Sequence, residues 1–545
     1  MFQLAQNKID VRENIIYLAI VIFSILWSFA GFTPQTAVDG GLIVSGIVKF
    51  PEEFRNNSSI YFNGWNTLHY LAGILLKLNF SQYSVSWIII FTSILSLILG
   101  IYYLLEVLTE NKLFSLIISF IFIITQKHLG HVDYPTLYIS EHSYGMYTFS
   151  LFTLVVGLLA KKSFLIAGII TTILIGFHLV AGLWVLFTII GILVIFYIFK
   201  INHKLSFESF RKGIIIGSIP IILSLIFFFS NTIDKDPLDV AAFNTYMNLW
   251  DHHRNITKFH TNYILKTFIM LLFISSFIIF FKNLKFEEQV FIYFLFLSSL
   301  SSSIIYVLYK IYPNYFPQLV ARAMPTRLVG LHSIIAYPLI LGIMIRLIKL
   351  ISNKYNFNLK VLLSSFFVLL ASYYSFFHNE KNVFERVYAK IDQKILAKIY
   401  SFKKNVFIKE DDNNSKFWIH VKNLNIDGYV ITNSETSNLT LRKGFKPYII
   451  NNHFIDHLPY HPYTVSETKA IIEEIYEIDF NDPPRKYTGA IKDRWYKSIF
   501  ENKSVENWNE IANKFNISAI ILPDNWDIKL KKTFTSGNFN LYVFK

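Results

Sequence analysis

The sequence predicts an α-helical polytopic membrane protein that ends in a small α/β soluble domain. Three observations lead there. Hydrophobic residues make up 53% of the 545 residues and charged residues 16%, against about 25% charge in ordinary soluble proteins. Apolar runs near the length of about 20 residues that crosses a bilayer as a helix recur as far as Phe377. Past that point the chain becomes charged, and then alternates between helix and strand patterns.

Apolar runs lie near 14–32, 84–106, 113–127, 143–160, 163–178, 180–200, 212–230, 262–281, 289–309, 327–348 and 360–377. They give about eleven spans. The stretch 65–79 is shorter, carries His69 and Lys77, and reads as a helix lying at the interface. The first run is too long for a signal peptide and lacks a small-residue cleavage site, so it reads as a retained anchor. With the N-terminus in the cytoplasm, the inner loops hold Lys112, Lys161, Lys162, Lys200, Lys204, Arg211, Lys212, Lys282, Lys285, Arg346, Lys349, Lys354 and Lys360. Short basic loops on one side are what the positive-inside rule requires. Of the 15 histidines, only His203 falls on the inner side in this topology. That asymmetry favours an outer functional face.

The expected organisation is a transmembrane domain over 1–377 with an extended first outer loop at 33–83, a helical connector at 378–416, and an extracytoplasmic α/β domain at 417–545. Within that last domain Gly428–Ile431 and Pro447–Ile450 read as strands. Ser466 reads as the cap of a helix. NWNEIANKF reads as another helix, SAIILP as a strand and KTFTSGNFNLYVF as a closing hairpin. The chain has no cysteine, which excludes disulfides and thiolate metal sites. The net charge of +14 is accounted for by basic loops between spans, so no nucleic-acid partner is expected.

Candidate chemistry lies in the outer loops. Asp39 follows the first span and precedes Gly40 and Gly41, which permit tight turns close to a ligand. Its carboxylate can take a proton from a hydroxyl nucleophile; the alternative is a solvated Asp-Gly turn. Glu52 and Glu53, after Pro51, read as helix-start acids. The second outer loop carries His128, His131, Asp133, Glu141 and His142, which suit either a zinc or manganese site or a hydrogen-bonded cavity lining, the latter favoured. His178 interrupts two apolar runs, as a residue facing a bundle interior or cavity does; an outer-surface turn is the other reading. In the third loop Asp234 and Asp236 form a D-x-D pair. Asp251, His252, His253 and Arg254 form a dense polar cluster that can hold pyrophosphate or sugar, or stay solvated. In the fourth, Pro325 suits the start of a helix whose positive end carries Arg322, Arg327 and His332. This suits a lipid phosphate, or simple snorkelling to headgroups. His453, Asp456, His457 and His461 read as a loop network rather than a metal site. No nucleophile elbow, phosphate-binding glycine loop or dinucleotide fingerprint occurs in the C-terminal part.

The layout resembles the GT-C class of integral membrane glycosyltransferases. The likeness lies in the span number, a long first outer loop carrying an acid, and an outer C-terminal domain. HVDYPTLY, FHLVAGLW, MPTRL and the NFNLYVF ending also resemble a group of uncharacterised bacterial multi-span membrane proteins. The GT-C resemblance implies a polyprenyl-phosphate-linked sugar donor, a glycan, lipid or protein acceptor, and transfer outside the bacterial inner membrane. It implies that Asp39 is the base. The class usually has a second acid beside the first, and here Gly40 stands there. The sequence demands no cofactor; a divalent cation is the one its Asp and His residues would accommodate. Two other readings are a polysaccharide polymerase or ligase, relying on outer-loop Arg and His, and a transporter or flippase of lipid-linked glycans. The last calls for discontinuous helices and internal repeats, and no convincing repeat is found.

Overall fold

The structure, a computed structural model, describes residues 11–30, 36–51, 66–125, 144–198, 204–231, 238–251, 286–311 and 412–544, short of a few single positions, together with isolated positions between 268 and 275 and residue 345. The first part is helical: α1 (Val11–Ala30), α2 (Thr36–Val44), α3 (Thr67–Lys77), α4 (Gln82–Thr109), α5 (Lys112–Thr125), α6 (Tyr144–Ala160), α7 (Phe164–Phe177), α8 (Leu179–Ile198), α9 (Lys204–Asn231), α10 (Val240–Thr245) and α11 (Phe286–Ile311). A π turn, Tyr246–Trp250, continues α10. Each apolar run predicted within the described residues is a helix. Only α9 differs at its start. It begins at Lys204 rather than near 212, because a polar first segment is helical too and Lys212 pairs with Glu208 one turn back. Among the described residues, the stretch expected as the first outer loop holds α2 and α3, packed on each other. Most of the runs predicted at 262–281, 327–348 and 360–377, and of the connector, lie outside the described residues.

Among the described residues, α4 is long and apolar enough, by length and composition, to cross a membrane, and five shorter apolar helical stretches accompany it. The helices turn apolar faces outward. Ile15, Leu18, Ile22 and Leu26 of α1, Phe187, Ile190 and Val194 of α8, and Ile215, Ile219 and Ile222 of α9 are all exposed. Hydroxyls face inward instead. Ser24, Ser96, Thr153, Thr171 and Thr172 are buried and return their protons to carbonyls one turn back. Ser93 meets Ser150 between α4 and α6 at 2.9 Å. Close packing of α9 on α7 depends on small residues: a Cβ on Gly213 would collide with the Leu165 carbonyl oxygen, and one on Gly217 with that of Ile169. This is the small-xxx-small contact by which apolar helices bring their backbones together.

The two ends of the helical body are chemically distinct. At one end Lys112, starting α5, bonds Glu13 of α1 at 3.1 Å, and Lys161, following α6, bonds Glu106 of α4 at 2.7 Å. These lysines are the ones expected on the inner side. At the other end Tyr147 of α6 donates to Thr92 of α4 and stacks on Phe177, where α7 ends. The C-terminal part docks here.

That part opens with α12 (Asp412–Asn423), which crosses the expected 416/417 boundary. Phe417, Trp418 and Val421 of α12 pack on the sheet against Val430, Ala519, Ile521 and Leu541. Four strands follow, with helices between them: β1 (Tyr429–Thr432), α13 (Ser437–Arg442), α14 (Val465–Ala470), α15 (Asp493–Asn502), α16 (Val505–Lys514), β2 (Ile517–Pro523), β3 (Phe534–Ser536) and β4 (Phe539–Val543). The sheet order is β1-β2-β4-β3, with β1 parallel to β2 and the other pairs antiparallel. A mixed sheet flanked by helices matches the α/β expectation. Two details are corrected. Pro447–Ile450 makes a single bridge, Tyr448 to Val430, rather than a strand; Pro447 has no N–H, so it contributes only its carbonyl, to Val430. Ser466 lies inside a helix rather than capping it, because the turn Pro462–Thr464 runs directly into α14. The sequence reading also passed over α15.

The absence of cysteine makes topology directly testable. With single cysteines at Lys162 and at Asn481, a membrane-impermeant maleimide should label the second in intact cells and the first only after lysis. Labelling of Lys162→Cys in intact cells would contradict the orientation.

Candidate functional site

Asp39 sits in α2, not in a turn. The turn reading fails because Gly40 and Gly41 serve close packing instead. A Cβ at Gly40 would overlap the His69 ring of α3, and one at Gly41 would overlap Ala72. His69 is fully buried. The position after Asp39 is therefore the surface on which this ring lies. A side chain there would force α2 and α3 apart.

Asp39 itself is buried, and its carboxylate faces the C-terminal domain. Arg442, the last residue of α13, grips it with both arms of its fork: Nε donates to Oδ1 at 2.5 Å and an Nη donates to Oδ2 at 2.7 Å. Side-chain exposure is 15% for Arg442 and 4% for Asp39, so the pair is shielded. Planar two-point pairing of this kind is the strong form of an ion pair. Around it the contact between the helical body and the domain continues. Gln82, starting α4, donates to the Arg442 carbonyl at 2.7 Å. Leu441 and Tyr448 join the core of the helical body. Phe50 meets Tyr429 and Tyr448 edge-on, and the Tyr429 hydroxyl donates to the Pro51 carbonyl at 3.2 Å. Burial pushes the Tyr429 phenol up from its usual range, so it stays a neutral donor. Lys446, four residues past Arg442, is pushed down by burial against the pull of Asp427, and donates to the Leu424 carbonyl.

His178 ends α7 in an extended conformation, and its carbonyl accepts from Gly182. It is linked to the Asp39 region through α3. Asn66 caps α3 and also donates to the Phe177 carbonyl at 3.1 Å, while Gly176 leaves room for Thr67. Helices α2, α3 and α7 thus form one packed series. Asp251 is placed differently. It is fully buried at the end of the π turn, receives the Tyr246 hydroxyl at 3.4 Å, and follows Trp250, whose indole donates to the Phe480 carbonyl. Residues 242–250 supply side chains to the core of the C-terminal domain, so Asp251 belongs to a docked segment rather than to a solvated loop. Arg322, Arg327, His332, His131, Asp133, His252 and His253 lie outside the described residues. Among the described residues no three His, Cys, Asp or Glu side chains form a metal-holding group. His457 is buried, and burial pushes the His461 imidazole down to about 4.

The sequence reading missed Arg442 and the role of His69. His69 carried a signal, since it was the one histidine within the short interfacial helix. Arg442 carried none, because its partner lies 403 residues away.

No family model matches the chain, and no curated protein does. Solved structures do show similarity. The apo oligosaccharyltransferase of Archaeoglobus fulgidus matches with a TM-score of 0.41 and 11% identity over 93% of this chain and 69% of that one. ArnT from Cupriavidus metallidurans, bound to undecaprenyl phosphate, matches with a TM-score of 0.42 and 9% identity over 98% of each. The archaeal oligosaccharyltransferase AglB from A. fulgidus, in complex with an inhibitory peptide and a dolichol-phosphate, matches with a TM-score of 0.37 and 10% identity over 94% and 70%. These are GT-C glycosyltransferases, the class that the sequence resembles. At TM-scores below 0.5 they transfer no residue role to this chain.

Because the pair is shielded, removing one partner takes away the other's charge-matched contact. Asp39→Ala and Arg442→Ala should each lower stability by about 3–5 kcal/mol. A double-mutant cycle followed by thermal unfolding should show a coupling of about 2 kcal/mol. Additive losses would mean that the two side chains are energetically independent.

Proposed function

We propose that this protein is an integral membrane glycosyltransferase that moves a sugar from a polyprenyl-phosphate-linked donor to an acceptor on the extracytoplasmic side. The single observation that carries the reading is the placement of Asp39. It is a buried carboxylate on the first helix after α1, at the end of the helical body away from Lys112 and Lys161, and it is enclosed by an arginine from the C-terminal domain. The outward apolar faces and inward hydroxyls of the bundle support a lipid setting, where that pattern reverses the one found in water. The junction then lies at the headgroup level, where a lipid phosphate and a polar acceptor can meet.

The chemistry assigned to the site balances with the groups present. The acceptor hydroxyl oxygen attacks the anomeric carbon of the donor sugar. The bond from that carbon to the phosphate oxygen breaks, and the polyprenyl phosphate leaves with the electron pair. The acceptor proton passes to the Asp39 carboxylate. Cationic groups stabilise the charge that grows on the leaving phosphate. Arg322, Arg327 and His332 are proposed for that task, with His178, His131, Asp133, His252 and His253 as polar contacts to the sugars.

The test is transfer itself. Membranes containing the protein are supplied with labelled undecaprenyl-phosphate sugars, and release of undecaprenyl phosphate is followed. Asp39→Asn should reduce the rate by about 10²–10⁴-fold, the range for loss of a general base, while the protein remains folded. Full activity in that variant would remove Asp39 from the chemistry.

A further inference from the structure

Both oxygens of the proposed base are occupied. Each Asp39 oxygen gives one lone pair to the guanidinium fork, and a carboxylate matched in charge and geometry by a cation takes up a substrate proton less readily than a released one. The chemistry above is therefore favoured when Arg442 lets go of Asp39, and a shielded guanidinium leaves one anion most readily for another. We propose that Arg442 is a phosphate-binding residue of the site, parked on Asp39 when the donor is absent and transferred to the donor phosphate when it is present. This rests on the glycosyltransferase reading and adds to it a cation from the C-terminal domain.

Three features fit the exchange. The guanidinium fork matches the two oxygens of a phosphate as well as those of a carboxylate, so one rotation of the side chain trades equivalent bonds. The backbone of Arg442 is fixed, since its carbonyl accepts from Gln82 and it closes the short helix α13, so only the side chain needs to move. Of the two side chains the arginine is the more exposed, 15% against 4%, which suits the partner that must meet a ligand.

The charges also run in the right direction. As the bond between the anomeric carbon and the phosphate oxygen breaks, the leaving phosphate gains one negative charge. As the acceptor proton arrives, Asp39 loses one. Donor binding supplies the competing anion, and the reaction then moves the balance for Arg442 further from Asp39 toward the phosphate. Its transfer couples donor occupancy to release of the base, so that Asp39 is held out of use until a donor is bound.

The experiment measures binding, not turnover. The purified full chain in phosphatidylcholine nanodiscs is titrated with undecaprenyl phosphate. Asp39→Asn weakens the internal competitor and should tighten binding several-fold. Arg442→Ala should weaken it at least tenfold. Arg442→Lys, which keeps the charge and is the safer variant for folding, should fall between wild type and Arg442→Ala. Opposite signs for the Asp39 and Arg442 variants are the signature of exchange. Unchanged binding in both, or equal losses in both, would make the pair a fastener between the helical body and the domain and overturn the proposal. Equal competition by phosphatidylglycerol would assign Arg442 to bulk lipid headgroups and overturn it too. Failure of the wild-type chain to bind undecaprenyl phosphate at all would instead sink the glycosyltransferase reading.

Discussion

One ion pair organises the junction between the helical body and the C-terminal domain. Asp39 and Arg442 lie 403 residues apart in sequence and meet through two short hydrogen bonds. The constraint is electrostatic. A carboxylate that is 4% exposed loses most of its hydration, and only a matched cation with good geometry makes that tolerable. Meeting this condition fixes several other things. It sets the C-terminal domain against the end of the helical body, brings Gln82 to the Arg442 backbone, and holds α2 at the depth where Gly40 touches His69.

The same pair links structure to chemistry. If it served only to fasten two parts together, apolar residues of similar shape would do so at least as well, since buried ion pairs seldom add net stability over good packing. A charged fastener has a distinct property: it can be exchanged for another anion of the same shape. Around the pair, the described contact also has an aromatic and apolar part, with Phe50, Tyr429, Tyr448 and Leu441 in contact. Those contacts keep the domain docked while one side chain changes partner.

The helices were legible because their signal is local. A run of apolar residues long enough to cross a bilayer must satisfy its backbone within itself, so α1 and α4 to α9 appear close to where the sequence puts them. The hairpin at the end of the chain was legible for a similar reason, as Gly537 takes the positive φ of a tight turn between β3 and β4. Asp39 was legible as an acid placed just past a span. Its surroundings were not. Asp-Gly-Gly reads locally as a turn, but packing of α2 on α3 selects helix, and glycine is used for proximity rather than for bending. Pro447–Ile450 has strand composition, yet pairing depends on an N–H that proline lacks. Arg442 follows an ordinary run of Ser, Asn, Leu and Thr, and nothing within that stretch announces a partner as far away as Asp39.

The central claim is that Arg442 serves two anions in turn. An electron cryomicroscopy structure of the protein in nanodiscs with undecaprenyl phosphate bound measures it most directly. The account predicts that the Arg442 guanidinium will lie on phosphate oxygens, with the separation from Asp39 opened beyond hydrogen-bonding range and the domain still docked through Tyr429 and Tyr448. A bound phosphate held by other residues, with the Asp39 and Arg442 pair intact at 2.5 and 2.7 Å, would contradict it.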